Sequence, residues 1–120
     1  MRTIVIIEDS KSWVESWKEE LNMILPDVTV VSALTIDEAL RKISEGFENL
    51  VCVILDACVP GDEPNTGPLL AVLLKLYPEV PVVAASSLNE YTAELMHWGA
   101  THGVGKHAVV VTVAKILNKS

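Results

Sequence analysis

No stretch of this sequence approaches the roughly 18 consecutive apolar residues of a membrane span, which excludes a transmembrane helix. After Met1-Arg2-Thr3 the chain enters a short β-rich run without a small-residue cleavage site, so it reads as soluble and unexported. Cysteine is scarce. Cys52 and Cys58 lie six apart in an apolar stretch, a spacing that fits neither a paired zinc knuckle nor a redox Cys-x-x-Cys motif, and buried reduced thiols are the better reading. Basic charge is short as well: 9 Lys and Arg face 16 Asp and Glu, a formal net charge of -7. With no Lys/Arg stripe interleaved with aromatics, no direct nucleic-acid binding is expected.

What is present is a globular composition, 50% hydrophobic and 21% charged. A chain of 120 residues matches a single core, so residues 1–120 are read as one domain. Thr3 to Ile7, Val28 to Ser32, Leu50 to Leu55 and Val80 to Ala85 are continuous apolar runs rich in β-branched residues, which implies strands covered on both faces, as in a parallel sheet. Between them the period becomes helical. Trp13, Val14, Trp17, Leu21 and Ile24 follow one helix closed by Pro26, and Thr35 with Glu38 forms a capping box for a second that stops at Gly46. Thr66, Gly67 and Pro68 open a third helix ending near Tyr77-Pro78, and Asn89 opens a fourth ending at Gly99. His102 to Gly105 reads as a short fifth strand, and alternation makes Val109 to Leu117 a helix despite its valines. The expected fold is α/β, a doubly wound five-stranded parallel sheet with helices on both faces.

Ligands in such sheets bind beyond the carboxyl ends of the strands. The first strand ends in Glu8-Asp9, the third in Asp56, the fourth in Ser86-Ser87 and the fifth in Lys106. An acidic pair after a strand is often just a helix N-terminal charge pair. Asp56 alters that reading, because an Asp closing an apolar strand has no local partner and needs a compensating group from elsewhere. Three carboxylates together resist ionising unless a cation neutralises them, and a hard ion such as Mg2+ accepts carboxylate oxygens and often shares its shell with a phosphate.

In these residues the chain resembles receiver domains of two-component response regulators, chemotaxis-regulator-like, over nearly all its length. The resemblance rests on Ile-Ile-Glu-Asp-Ser after the first strand, Val-Ile-Leu-Asp-Ala-Cys-Val-Pro, Pro-Val-Val-Ala-Ala-Ser-Ser, and the Lys after Gly-Ala-Thr-His-Gly-Val-Gly. It implies a flavodoxin-like (βα)5 fold with strand order 2-1-3-4-5 and a cytoplasmic location. It also implies that Asp56 accepts a phosphoryl group and that Glu8, Asp9, Asp56 and the Cys58 backbone carbonyl hold Mg2+. Ser86 would hydrogen-bond the phosphoryl oxygen, with Ser87 its competitor through a one-residue slip, and Lys106 would pair with it. The donor would be a phosphohistidine on a histidine kinase or phosphotransfer protein, and the domain would catalyse its own phosphorylation and dephosphorylation without being a conventional enzyme.

The chain departs from the family in three places. His107 follows the Lys where a cis-linked Pro is usual, so a trans bond is expected here. Gly103 stands where the family usually carries a Tyr or Phe whose rotamer follows phosphorylation. The loop Pro60 to Gly67 is longer than usual, at the edge where function varies. These departures keep a second hypothesis open, a receiver-like interaction module acting without phosphorylation. A phosphohydrolase is disfavoured because Asp56-Ala57-Cys58 lacks a second Asp two residues on, and a P-loop because Ala100 and His107 replace required residues. His97, His102 and His107 read as exposed or capping imidazoles, and Trp13 and Trp17 as core. Trp98, where many relatives carry a small or polar residue, is expected to be exposed. The third helix is apolar all round, with Lys75 its one charge, which fits either tight core packing or cover by a homodimer or partner surface. The end at Ser120 leaves open whether an output domain follows.

Overall fold

The computed structural model describes residues 1–60 and 63–118. Five strands, β1 (Arg2–Ile7), β2 (Val28–Ala33), β3 (Leu50–Asp56), β4 (Val82–Ala85) and β5 (His102–Val104), alternate with five helices, α1 (Lys11–Ile24), α2 (Ile36–Glu45), α3 (Gly67–Leu76), α4 (Asn89–Trp98) and α5 (Val109–Asn118). All strand pairs are parallel, in the order β2-β1-β3-β4-β5.

The continuous apolar runs are explained by burial on both faces. Val5 and Ile7 of β1, with Val53 and Leu55 of β3, point into a core shared with Ala39 and Ile43 of α2, Leu70 and Leu73 of α3 and Leu95 of α4. Ile4, Ile6, Cys52 and Ile54, one residue out of phase, point into a second core with Val14, Trp17 and Leu21 of α1 and Val110 and Val113 of α5. Each fully buried side chain of this kind contributes about 1.5–3 kcal/mol. Because α1 lies on one face and α2 returns across the other, the winding reverses between β1 and β3. Glu8 and Asp56 follow or end these two adjacent strands, at the switch point where such folds bind ligands.

Several local expectations change in detail. β4 starts at Val82 rather than Val80, after Pro81, which has no N–H to give a ladder and instead accepts from the Val53 N–H through its carbonyl at 3.0 Å. Thr35 caps α2 by accepting from the Glu38 N–H at 3.0 Å, while the Glu38 carboxylate pairs with Lys42 at 3.2 Å instead of closing the capping box. Thr66 precedes α3 but makes no side-chain cap bond. Its hydroxyl instead donates toward the carbonyls of Asp56 at 2.8 Å and Ala57 at 3.1 Å. On α3, Leu69, Leu70 and Leu73 are buried, whereas Val72 and Leu76 remain exposed. The core therefore takes one side of α3, with Leu74 half-buried at its margin, and leaves Val72 and Leu76 on the outer side. In the long loop before it, Gly61 and Asp62 lie outside the described residues.

Candidate functional site

Four strand ends bring the candidate residues to one edge of the sheet. Glu8 follows β1 with its N–H bonded to the Ala33 carbonyl at 3.1 Å, which aims its side chain inward, and it is fully buried. Asp9, next in the chain, turns outward and is exposed. Asp56 ends β3 and is 4% exposed. Ligand oxygens of Glu8, Asp9 and Asp56 all lie within 4.8 Å of one another. At that spacing two full negative charges repel by about 3–4 kcal/mol in a medium of effective dielectric near 20.

Lys106 partly relieves this repulsion. Its Nζ is 2.5 Å from Glu8 Oε1 and 3.7 Å from Asp56 Oδ2, so the ammonium bridges two of the carboxylates. One cation among three acids leaves the cluster short of positive charge. Burial, then the neighbouring Asp56 carboxyl, pushes the Glu8 pKa up to about 7 despite the Lys106 ammonium. Asp9 is also raised, by burial and then by Glu8. For Lys106, burial works against the charged form, but Glu8, Asp56 and Asp9 outweigh it and raise its pKa.

The register of β4 separates the two serines. Asp56 pairs with Ala85, so Ser86 is the first residue beyond the ladder. It is buried, with its hydroxyl oxygen accepting from the Leu88 N–H at 3.2 Å, whereas Ser87 is exposed. Both line a cleft of ≈ 450 Å³ with Asp9, Asp56, Cys58, Leu88, Tyr91 and Lys106. The Cys58 N–H reaches Asp56 Oδ1 at 3.4 Å, placing the Cys58 backbone beside the carboxylates. Cys52 lies deep in the sheet, and burial pushes its thiol up to about 12, which makes it inert. The three histidines are exposed, and none belongs to the carboxylate cluster.

Sequence reasoning missed the residues that hold the loop after β3. Thr66 is fully buried and tethers the Asp56 and Ala57 carbonyls, as described above. Asn65 binds both backbone groups of Val59, at 2.8 Å each, and donates its own N–H to the Ala57 carbonyl at 2.9 Å. Neither residue has a periodic signature, since each bonds back across an irregular loop. Trp98 is exposed as expected, yet its indole lies over Gly67. A Cβ on Gly67 would come within 2.4 Å of that ring. The described residues contain one cis peptide, Val59–Pro60, so the Lys106–His107 bond is trans, in line with its non-proline chemistry.

The donor set fits a hard dication: oxygen ligands from three carboxylates at a mutual spacing one ion can span, in a cluster left with excess negative charge. No helix among the described residues is long and apolar enough to cross a membrane.

Comparisons with solved structures place the chain in a known fold. The chain is similar to a two-component response regulator from Clostridium difficile, with a TM-score of 0.81 and 18% identity over 99% of this chain and 98% of that one. It is also similar to a CheY-like response regulator receiver domain protein from Methanospirillum hungatei JF-1, with a TM-score of 0.80 and 21% identity over 99% and 95%. A third, the response regulator TrrA from Thermotoga maritima, solved in complex with Mg2+-BeF, gives a TM-score of 0.78 and 25% identity over 97% and 99%. No family model and no curated protein matches the chain. These neighbours are response regulator receiver domains, and the chain has their CheY-like, flavodoxin-type fold.

Proposed function

We propose that residues 1–120 form a receiver domain that acts in the cytoplasm as a phosphoryl-accepting switch, with Asp56 as the acceptor. The observation that carries this reading is the meeting of residues from four strand ends: Asp9, Asp56, Ser86 and Lys106 line one cleft, and Glu8 is buried against Lys106 with its carboxylate in reach of Asp9 and Asp56. The donor is a phosphohistidine on a histidine kinase or phosphotransfer protein. Glu8, Asp9, Asp56 and the Cys58 carbonyl would hold Mg2+, which when bound supplies neutralisation of the anionic oxygens.

An Asp56 oxygen attacks phosphorus in line, the phosphorus–nitrogen bond breaks, and the imidazole leaves with the electron pair. Lys106, which in this arrangement bridges Glu8 and Asp56, stabilises charge on the transferred group, and the Ser86 hydroxyl donates to a phosphoryl oxygen. Water later hydrolyses the acyl phosphate and resets Asp56. The negative charge added beside Ser86 biases the surrounding loops.

Gly103 favours a second reading, an interaction module that works without phosphorylation. It replaces the aromatic expected to follow the phosphate, and a Cβ there would meet Met96 Cγ and Thr92 Cβ at 3.2 Å each. Incubation with acetyl phosphate and Mg2+, followed by intact mass, separates the two. One added phosphoryl group on the wild type and none on Asp56→Asn is expected. Labelling that is absent from the wild type would leave the docking module, and equal labelling of Asp56→Asn would discard the acceptor.

A further inference from the structure

Lys106 stands on a segment with little to fix it. β5 is a three-residue edge strand whose ladder with β4 ends at the Ala85–Val104 pair. Gly105 follows, with nothing within 4 Å of where a Cβ would stand. Beyond it one 3-10 turn, Lys106–Ala108, closed by the Ala108 N–H on the Gly105 carbonyl at 3.0 Å, leads into α5. A lysine has a long flexible stem, so an uncertain backbone origin spreads its ammonium over a wide volume.

The anchor comes from a distant part of the chain. Trp17 Nε1–H donates to the Lys106 carbonyl oxygen at 3.1 Å, across 89 residues of sequence. Trp17 is 2% exposed and locked in the core between α1 and α5. One turn earlier, Trp13 leans on Trp17 with ring centroids 5.4 Å apart and meets the His107 ring edge-on at 5.0 Å. The Lys106 Nζ lies 5.8 Å from the Trp13 ring centroid, within cation–π reach. The lysine is thus gripped at its carbonyl, at the following residue and beside its ammonium by one helix.

We propose that Trp17 is the positioning residue for Lys106, its indole N–H fixing the backbone from which the ammonium reaches Asp56, with Trp13 limiting the swing of the side chain. This rests on the phosphoacceptor reading above, because the position of Lys106 matters where charge develops on a transferred group. Displacement of a catalytic group by about 1 Å can lower a rate by about a hundredfold. A rigid indole buried in the core is a stable reference for such a group, and its single donor defines one point on the loop.

The test is a double-mutant cycle on the single-turnover rate of acetyl phosphate labelling at saturating Mg2+. Trp17→Phe is expected to slow labelling about tenfold in the wild type and to change it less than about twofold in a Lys106→Ala background. A purely structural role would lower both by the same factor. Should Trp17→Phe fail to melt cooperatively, site-specific replacement of Trp17 by 3-benzothienylalanine, which keeps the bicyclic shape and lacks the N–H, carries the same expectation. Equal rates for wild type and variant, or equal losses in both backgrounds, would overturn the positioning role while leaving Asp56 as acceptor. A wild type that takes no label would overturn the acceptor and the positioning role together.

Discussion

On the α1–α5 flank of the carboxyl edge, Trp13, Trp17 and His107 close around Lys106, whereas on the α3–α4 flank large side chains fill space left by glycine. Trp98 covers Gly67, Leu74 Cδ1 would stand 2.6 Å from a Cβ on Gly99, and Met96 and Thr92 crowd Gly103. The first flank holds a charged group in place. The second draws α3 and α4 against each other and α4 against β5, and it occupies the space beside position 103. Aromatic bulk is therefore present on the lysine side of the site, while position 103 carries none and Tyr91 lines the cleft with Ser86.

The sharpest break in this comparison is at the lysine. Lys106→Ala is expected to slow labelling by about a hundredfold or more, as loss of a preorganised charge at a developing anion does, and to tighten Mg2+ binding, since the ammonium competes for the same Glu8 oxygen. Single-turnover mass spectrometry and a Mg2+ titration check the two halves. Weaker Mg2+ binding in the variant would mean that Lys106 supports the carboxylate geometry instead of competing for it.

Restoring an aromatic on the other flank has a smaller effect. Gly103→Phe must displace Met96 and Thr92, and overpacking of this kind costs about 1–3 kcal/mol. Denaturant melts are expected to show that loss and its partial recovery on adding Met96→Ala. An unchanged midpoint would show that α4 moves aside freely.

The carboxylates respond to pH with a definite sign. The folded-state pKa of Glu8 is raised from 4.5 to about 7, so between these values the folded chain keeps a proton that the unfolded chain has lost. Its contribution is full below the unfolded value and disappears as pH rises through the folded one. Without Mg2+, stability is therefore expected to fall by up to about 1.4 kcal/mol per pH unit across that window, and Asp9, also raised, acts in the same direction. Glu8→Gln should flatten the slope in thermal melts. A wild type that gains stability over the same window would refute the assigned shift.

Much of this was legible in the chain because it depends on short-range pattern. Val-Ile-rich runs such as Leu50–Leu55 announce strands buried on both faces, and acids or a lysine where such runs stop announce the edge where the candidate residues gather. Ser86 and Ser87 could not be separated without the β3–β4 register, which leaves one buried and the other exposed. The bond between Trp17 and Lys106, the Thr66 tethers and the close approach of Trp98 to Gly67 were illegible for a different reason. Each joins residues far apart or across an irregular loop, and neither periodicity nor propensity encodes such pairings. Thr66 even carried a misleading signal, since a Thr before Gly-Pro looks like a helix cap while its hydroxyl serves the strand behind it.

Whether Glu8, Asp9 and Asp56 share one hard cation is decided by calorimetric titration with Mg2+ near pH 6 and near pH 8, in buffers of different ionisation enthalpy. One ion per chain is predicted, with release of up to about one proton at the lower pH that fades at the higher, as Glu8 titrates, and with most affinity lost in Asp56→Asn. No binding at millimolar Mg2+, or the same affinity in Asp56→Asn, would contradict it.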